Sequence, residues 1–261
     1  GILDNATVRT AGTVVRSGTN ETTSGTFFRL YDTPPEEKER TFTKSISGEQ
    51  EDVQRIFNVN LEEFSHIPQS PICYAVPGKI RRLYDTDLRI DSEQADVDGE
   101  SVCFAVPGLQ TSNDERFTRF LWEVDDYSRF KPIAKGGSDA WVLPRISETV
   151  DWEENGDVLK RSSQSLRIRN ESLYGCEGVT WTRIKETGRR FGYYSGGMFS
   201  DTGNMVIPRN DLSVWILMAT LNSSLYHCLF LSQTTERHLN AGEVGSVPWI
   251  KQLESIDTLE E

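Results

Sequence analysis

The chain has 261 residues, 36% hydrophobic and 26% charged, with 10% Phe, Trp and Tyr. That mixture can bury a core, and it excludes a disordered, collagenous or coiled-coil chain. Forty acidic against 28 basic residues leave a net charge of −12 at pH 7, which argues against coating nucleic acid by bulk charge. Arginine nonetheless supplies 20 of those 28 cations, and its guanidinium fork suits phosphates and base edges better than lysine does. Four cysteines (Cys73, Cys103, Cys176, Cys228) and three histidines (His66, His227, His238) are scattered without metal or disulfide spacing. A reducing, cytoplasmic setting is therefore expected, and the Asn-x-Ser/Thr matches at Asn5, Asn20, Asn170 and Asn222 are read as chance.

In chain order, the first thirty residues alternate in the manner of two strands joined by a long polar loop. Val8, Val14 and Val15 lie on the first and Phe27, Phe28, Leu30 and Tyr31 on the second. The chain opens directly into strand-like residues at Gly1-Ile2-Leu3, as the interior of a larger fold would. Pro34-Pro35 ends this region, and the charged stretch from Glu36 to Lys44 predicts a helix. A strand-like run at 70–76 precedes a predicted helix from Gly78 to Tyr84. Glycine and tryptophan then crowd between 136 and 203, which fits short strands and many turns. A helix from Asp211 to Ser232, capped by Asn210 or Asp211, closes the region. Its core, Leu212 to Leu231, is long enough to span a bilayer. Asn222-Ser223-Ser224 at its centre and the absence of flanking cationic anchors make it a buried amphipathic helix, so no membrane is expected as a partner.

Charge is segregated along this order. Residues 32–63 carry nine acids and four bases, and residues 85–100 carry seven acids against Arg89 alone. Between Arg161 and Arg209 eight bases face four acids, a net of +4, before the tail from Glu243 returns to −4. A Walker loop, a GxGxxG turn and a GxSxG elbow are all absent from the sequence, and no cysteine is placed with a histidine in a way that suggests a nucleophile. The carboxylate pairs Asp125-Asp126 and Glu153-Glu154 are read as solvated faces.

Eight segments carry a family resemblance when taken in order. They are ATVRTAGTVV at 6–15, IPQSPICYAV at 67–76, GLQTSNDERFTRFLWEV at 108–124, KGGSDAW at 135–141, VDWEENG at 150–156, GVTWTRI at 178–184, GMFSDTG at 197–203 and LMATLNSSLYHCLF at 217–230. Together they resemble the C-terminal, target-recognition part of the adenine-specific DNA methyltransferases of bacteriophage-exclusion (BREX) systems, the PglX-like family, which is similar to type IIG restriction–modification enzymes. The resemblance implies an adenine-N6 methyltransferase whose catalytic domain precedes a DNA target-recognition region. The family's catalytic Asn-Pro-Pro-Tyr/Phe and its S-adenosylmethionine loop do not occur here; Pro34-Pro35 follows Thr33 and precedes Glu36. Residues 1–33 match the last strands of a methyltransferase sheet, and residues 34–261 match the recognition region. No catalytic residue, no metal and no cofactor are expected in this chain, S-adenosylmethionine belonging to a catalytic domain supplied in cis or in trans. The stretch from Gln233 to Glu243 departs from the family's usual Asn-Pro-Thr run, so that the chain resembles a divergent member.

The implied fold class is α+β: a mixed, β-rich recognition domain with a long C-terminal helix, preceded by the terminal strands of a methyltransferase-like sheet. Its expected partners are double-stranded DNA, the catalytic domain and other defence-system proteins. Candidate DNA contacts fall in three places. Thr111 and Asn113 would form a polar turn near phosphate, with Arg116 and Arg119 on one helical face beyond it; the other reading is an ordinary loop and helix start. Lys135 beside Gly136-Gly137 would reach a phosphate, or else sit in a plain hairpin turn. Trp181, Arg183, Arg189 and Arg190 would clamp phosphate or read guanine in the major groove, or else solvate the edge of a hairpin. The rival function is an acidic adaptor that docks other defence proteins and scarcely touches DNA.

Overall fold

Pro35 opens a 3-10 turn, Pro35–Glu37, and the backbone tightens directly into helix α1, Lys38–Ser47, where the sequence predicts one. Gly48, at φ 72°, closes that helix in the left-handed region. The computed structural model describes residues 11–15, 23–48, 55–136, 142–162, 166–184, 190–234 and 238–252. The chain forms two compact units, Gly1–Arg82 and Leu83–Glu261, and the elements are mixed helix and sheet, an α+β fold.

In the first unit, strand β1, Ser24–Phe28, pairs antiparallel with strand β2, Ile56–Asn60, so that Phe27 lies opposite Phe57. The expected first strand does not supply that partner. Residues 11–15 form no strand, the rest of the expected strand (6–10) lies outside the described residues, and the partner comes from beyond residue 33. Tyr74 stacks on Phe27 at 4.9 Å and leans on Phe57 at 5.3 Å. The run at 70–76 is likewise not a strand; its apolar residues serve as packing on an irregular segment. Helix α2, Gly78–Arg81, follows it as predicted. Arg81 is buried there against Glu63, which also bonds Arg82 at 2.6 Å.

The second unit holds the remaining elements: β3 (Leu88–Arg89), α3 (Ser92–Ala95), β4 (Glu100–Ser101), β5 (Cys103–Val106), α4 (Asp114–Phe117), β6 (Thr118–Phe120), β7 (Phe130–Ala134), β8 (Glu148–Asp151), α5 (Asp157–Lys160), β9 (Gly178–Thr182), β10 (Phe191–Tyr194), β11 (Met198–Phe199), β12 (Gly203–Pro208), α6 (Val214–Leu221), α7 (Ser224–Gln233) and α8 (Ala241–Gly245). An antiparallel sheet runs in the order β10-β9-β12-β5, and a mixed sheet in the order β11-β7-β8-β6. β3 and β4 make a short parallel pair. The glycine-rich region therefore does form short strands joined by turns.

Strand alternation explains how the two sheets share cores. Neighbours along a strand face opposite ways, so Ile133 and Ala134 of β7, like Met198 and Phe199 of β11, divide between two clusters. One cluster holds Ala134 and Phe199 with Val106, Tyr194, Met205 and Ile207. The other holds Ile133 and Met198 with Leu109, Phe117, Val150 and Leu159. The mixed sheet is thus covered on both faces.

The predicted single helix over 211–232 is two helices, α6 and α7, bent by 64° at Asn222-Ser223. Its N-cap is Ser213 instead of Asn210 or Asp211. Among the described residues no single helix is long and apolar enough to cross a membrane. The break has a local cause. Ser223 caps α7 by accepting from the Tyr226 N–H at 3.3 Å. Asn222 turns its amide onto strand β10, donating to the Phe191 carbonyl at 2.9 Å and accepting from the Phe191 N–H at 3.3 Å. Because β10 is an edge strand, Asn222 stands in for the missing neighbour and satisfies both groups of that peptide position. Replacing Asn222 with alanine should lower the unfolding free energy by about 2 kcal/mol, the cost of leaving partly buried backbone groups unpaired. Urea denaturation measures this, and an unchanged midpoint would contradict the edge-cap role.

Candidate nucleic-acid interface

β7 delivers Lys135 to a cleft because the chain must turn sharply there. Gly136 has φ +73°, and a Cβ on it would lie 2.8 Å from the Thr202 carbonyl oxygen, so glycine alone fits. The turn from Ser200 to Gly203 holds this corner. The Ser200 N–H donates to the Ala134 carbonyl at 2.9 Å. The Thr202 hydroxyl donates to the Lys135 carbonyl at 2.8 Å. Ser200 Oγ accepts from the N–H groups of Thr202 and Gly203 at 3.2 and 3.0 Å. The Arg183 and Asp201 N–H groups then bond Thr202 and Leu109 carbonyls, both at 3.1 Å.

The cleft itself is open to solvent and is lined by Lys135 and Gly136, by Arg145 from the segment before β8, by Thr180 and Thr182 of β9, and by Arg190. Its lining brings three cationic residues and two threonines together with the buried Trp181 and, among the described residues, holds no carboxylate, although the Lys135 ammonium itself is held by Asp114 and Glu148. Such a concave, cationic surface with backbone close at hand suits an anion. Arg190 is partly buried, which pulls its pKa below the usual arginine value while the Glu243 carboxylate opposes the shift. A guanidinium already shed of part of its water loses less on meeting a phosphate.

Lys135 is already engaged by the protein's own carboxylates. Its ammonium bonds Asp114 and, at 3.1 Å, Glu148. Asp114 also accepts from the Thr111 hydroxyl. Burial raises the Asp114 carboxyl, but the Lys135 and Thr111 hydrogen bonds outweigh it and hold the group below the usual aspartate range. Burial lowers the Lys135 ammonium, and the two carboxylates reverse this and push it upward.

The sequence-predicted residues are distributed as follows. Lys135 and Arg190 meet at the cleft. Thr111 is buried and committed to Asp114, and the Asn113 side chain caps α4 by accepting from the Arg116 N–H at 3.0 Å. Arg116 and Arg119 do not share a helical face: α4 ends at Phe117, and Arg119 lies on β6. The helix stops there because Thr118–Phe120 pair with β8. Arg119 folds back onto the carbonyls of Glu115, Arg116 and Thr118 at 3.0, 3.3 and 2.6 Å. Trp181 is 1% exposed and its indole N–H donates to the Leu239 carbonyl at 3.0 Å; it is a core residue and offers no face for stacking. Arg183 sits 3.9 Å from Asp201 at the end of β9. Arg189 lies outside the described residues. Sequence reasoning missed Arg145, which follows Pro144 and precedes Ile146 in a stretch that no motif marks. The carboxylate pairs are exposed, as read; one member of each also bonds locally, Asp126 accepting from the Ser128 and Arg129 N–H groups and Glu153 lying 3.4 Å from Arg129. Among the described residues no cluster of His, Cys, Asp and Glu could hold a metal.

No family model matches the chain. It is similar to a protein described as Adenine-specific methyltransferase BrxX, from Escherichia coli O9:H4 (strain HS), with 25% identity over 270 residues. That match covers 96% of this chain and 20% of the relative, so the chain spans about a fifth of the length of the curated relative it matches.

The Asp114–Lys135 pair has a defined pH consequence. Since the folded carboxyl titrates below its ordinary value, its stabilisation is full above the usual aspartate range and is lost as pH falls through the lower folded value. Asp114→Asn should therefore flatten the decline in stability between about pH 5 and pH 3. Urea midpoints across that range measure it; an identical decline in both proteins would remove Asp114 from the acid response.

Proposed function

We propose that this chain is the DNA target-recognition part of an adenine-N6 methyltransferase of a BREX-type phage-defence system. It holds double-stranded DNA for a catalytic domain that carries S-adenosylmethionine and performs base flipping and methyl transfer. The single observation that carries the reading is the cationic cleft of Lys135, Arg145 and Arg190, set in a chain similar over 96% of its length to a named adenine-specific methyltransferase. In this reading residues 1–33 belong to the end of the catalytic sheet and residues 34–261 to the recognition region. The catalytic domain is either fused to this chain or a separate polypeptide, and other defence proteins are further partners.

The carboxylates around Lys135 fit this role. Asp114 and Glu148 hold the ammonium where a phosphate would, so a duplex binds by exchanging protein carboxylates for its own anions. Binding of this kind is limited to a patch, which agrees with a net charge of −12, and its gain per phosphate is modest.

Titration of duplex DNA from about 50 to 200 mM salt tests the reading, since binding through phosphates weakens steeply as counterions return. The double substitution Lys135→Ala, Arg190→Ala should weaken binding and reduce the slope of log affinity against log salt by about one for each phosphate no longer neutralised. Absence of binding at low salt, with the catalytic domain present, would sink the proposal. Binding of S-adenosylmethionine by this chain alone would contradict the assignment of the cofactor elsewhere.

A further inference from the structure

Strand β6 lies at the outer edge of the mixed sheet, and just there the protein exposes two aromatic rings that its core does not use. Phe120 is 44% exposed and Trp122 is 69% exposed. Their rings lie face to face, centroids 4.5 Å apart and planes 5° from parallel. We propose that this pair is a stacking platform for an extrahelical base of the bound DNA, which rests on the DNA-recognition reading above.

Three features carry the inference. The first is the geometry. A parallel stack on an edge leaves the outer π face open to a further planar ring, and every nucleobase has such a face. The second is rigidity. The Phe120 N–H donates to Glu123 at 2.8 Å, the Leu121 N–H donates to the Ser147 carbonyl at 2.9 Å, and the Tyr127 hydroxyl donates to the Leu121 carbonyl at 3.1 Å. The platform is thereby held in place before any ligand arrives, and little ordering is left to be done on binding. The third is its surroundings. Exposed Arg119 lies on β6 itself, its guanidinium on the carbonyls of Glu115, Arg116 and Thr118, and exposed Arg116 lies on α4 just before it, where the backbone of a stacked nucleotide would need cations. Beside the two rings, exposed Tyr127 is tied to Leu121 and the Glu123 carboxylate to Phe120. A stable protein interface buries roughly 800 Å² per partner around a largely uncharged centre, whereas this platform is two exposed rings with the Glu123 carboxylate against them. A single planar ring fits it. A base leaves the stack when an adenine is rotated out for chemistry, and an aromatic platform offsets part of the stacking energy given up.

The test uses two duplexes at low salt, one fully paired and one with a single bulged 2-aminopurine. The unaltered chain should bind the bulged duplex roughly five- to 150-fold more tightly, the range for one base–aromatic stack, and should quench the 2-aminopurine fluorescence. Trp122→Ala should abolish both the preference and the quench, so that the two duplexes bind alike. Trp122→Phe should retain most of the preference. Because Trp122 is mostly exposed, its truncation leaves the fold intact, and circular dichroism verifies this. If Trp122→Ala still prefers and quenches the bulged duplex as the unaltered chain does, the platform is wrong while the DNA reading stands. If the unaltered chain binds both duplexes alike, the platform is wrong while the DNA reading stands; if it binds neither even with the catalytic domain present, the DNA reading falls and the platform with it.

Discussion

The turn from Ser200 to Gly203 is the constraint on which the second unit depends. Four residues satisfy backbone groups from three directions: the end of β7 at Ala134 and Lys135, the segment at Leu109, and the exit of β9 at Arg183. Ser200 is 3% exposed, and a Cβ on Gly203 would lie 2.6 Å from both the Ala134 oxygen and the Gly136 nitrogen. Buried polar backbone must find partners somewhere, and here they are supplied by one hydroxyl-rich corner instead of a longer ladder. The mixed sheet and the antiparallel sheet meet there, and so the cleft with Lys135 and Arg190 has its position.

The acidity of the chain reads differently once its carboxylates have addresses. Asp91 caps α3 and also accepts from the Ala105 N–H at 2.7 Å. Asp151 takes Arg129 in a two-point bond at 3.1 and 2.6 Å. Asp126 closes a turn, and Asp114 with Glu148 restrains Lys135. Much of the anionic excess is thus engaged in caps and pairs, and among the described residues the cleft lining itself holds no acid. Net charge describes the average surface, whereas binding is decided by the few groups that converge.

Legibility followed the range of the interactions. The helix beginning near Glu36, the helix at Gly78 and the short strands of the glycine-rich region were readable, because proline placement, capping and turn residues act within a few residues. The partner of β1 was not, since pairing Phe27 with Phe57 is a contact between distant segments. Nor was the break between α6 and α7. The run from Val214 to Gln233 is apolar enough for one helix, and what interrupts it is the bond from Asn222 to an edge strand thirty-one positions earlier. Arg116 and Arg119 have helical spacing, yet pairing with β8 takes Arg119 into a strand.

Taken alone, the sequence determined the α+β class, the separation of an acidic first part from an Arg-rich later one, and the order of segments that resembles a methyltransferase recognition region. These are properties of composition and local pattern, which survive without knowledge of contacts. Only the tertiary structure decided which cations meet. It joined Lys135 to Arg190 and to the unheralded Arg145, buried Trp181, and left Phe120 and Trp122 outside. The reason is that burial and convergence depend on packing between segments far apart in the chain, and no residue's type or spacing reveals which face the fold will cover.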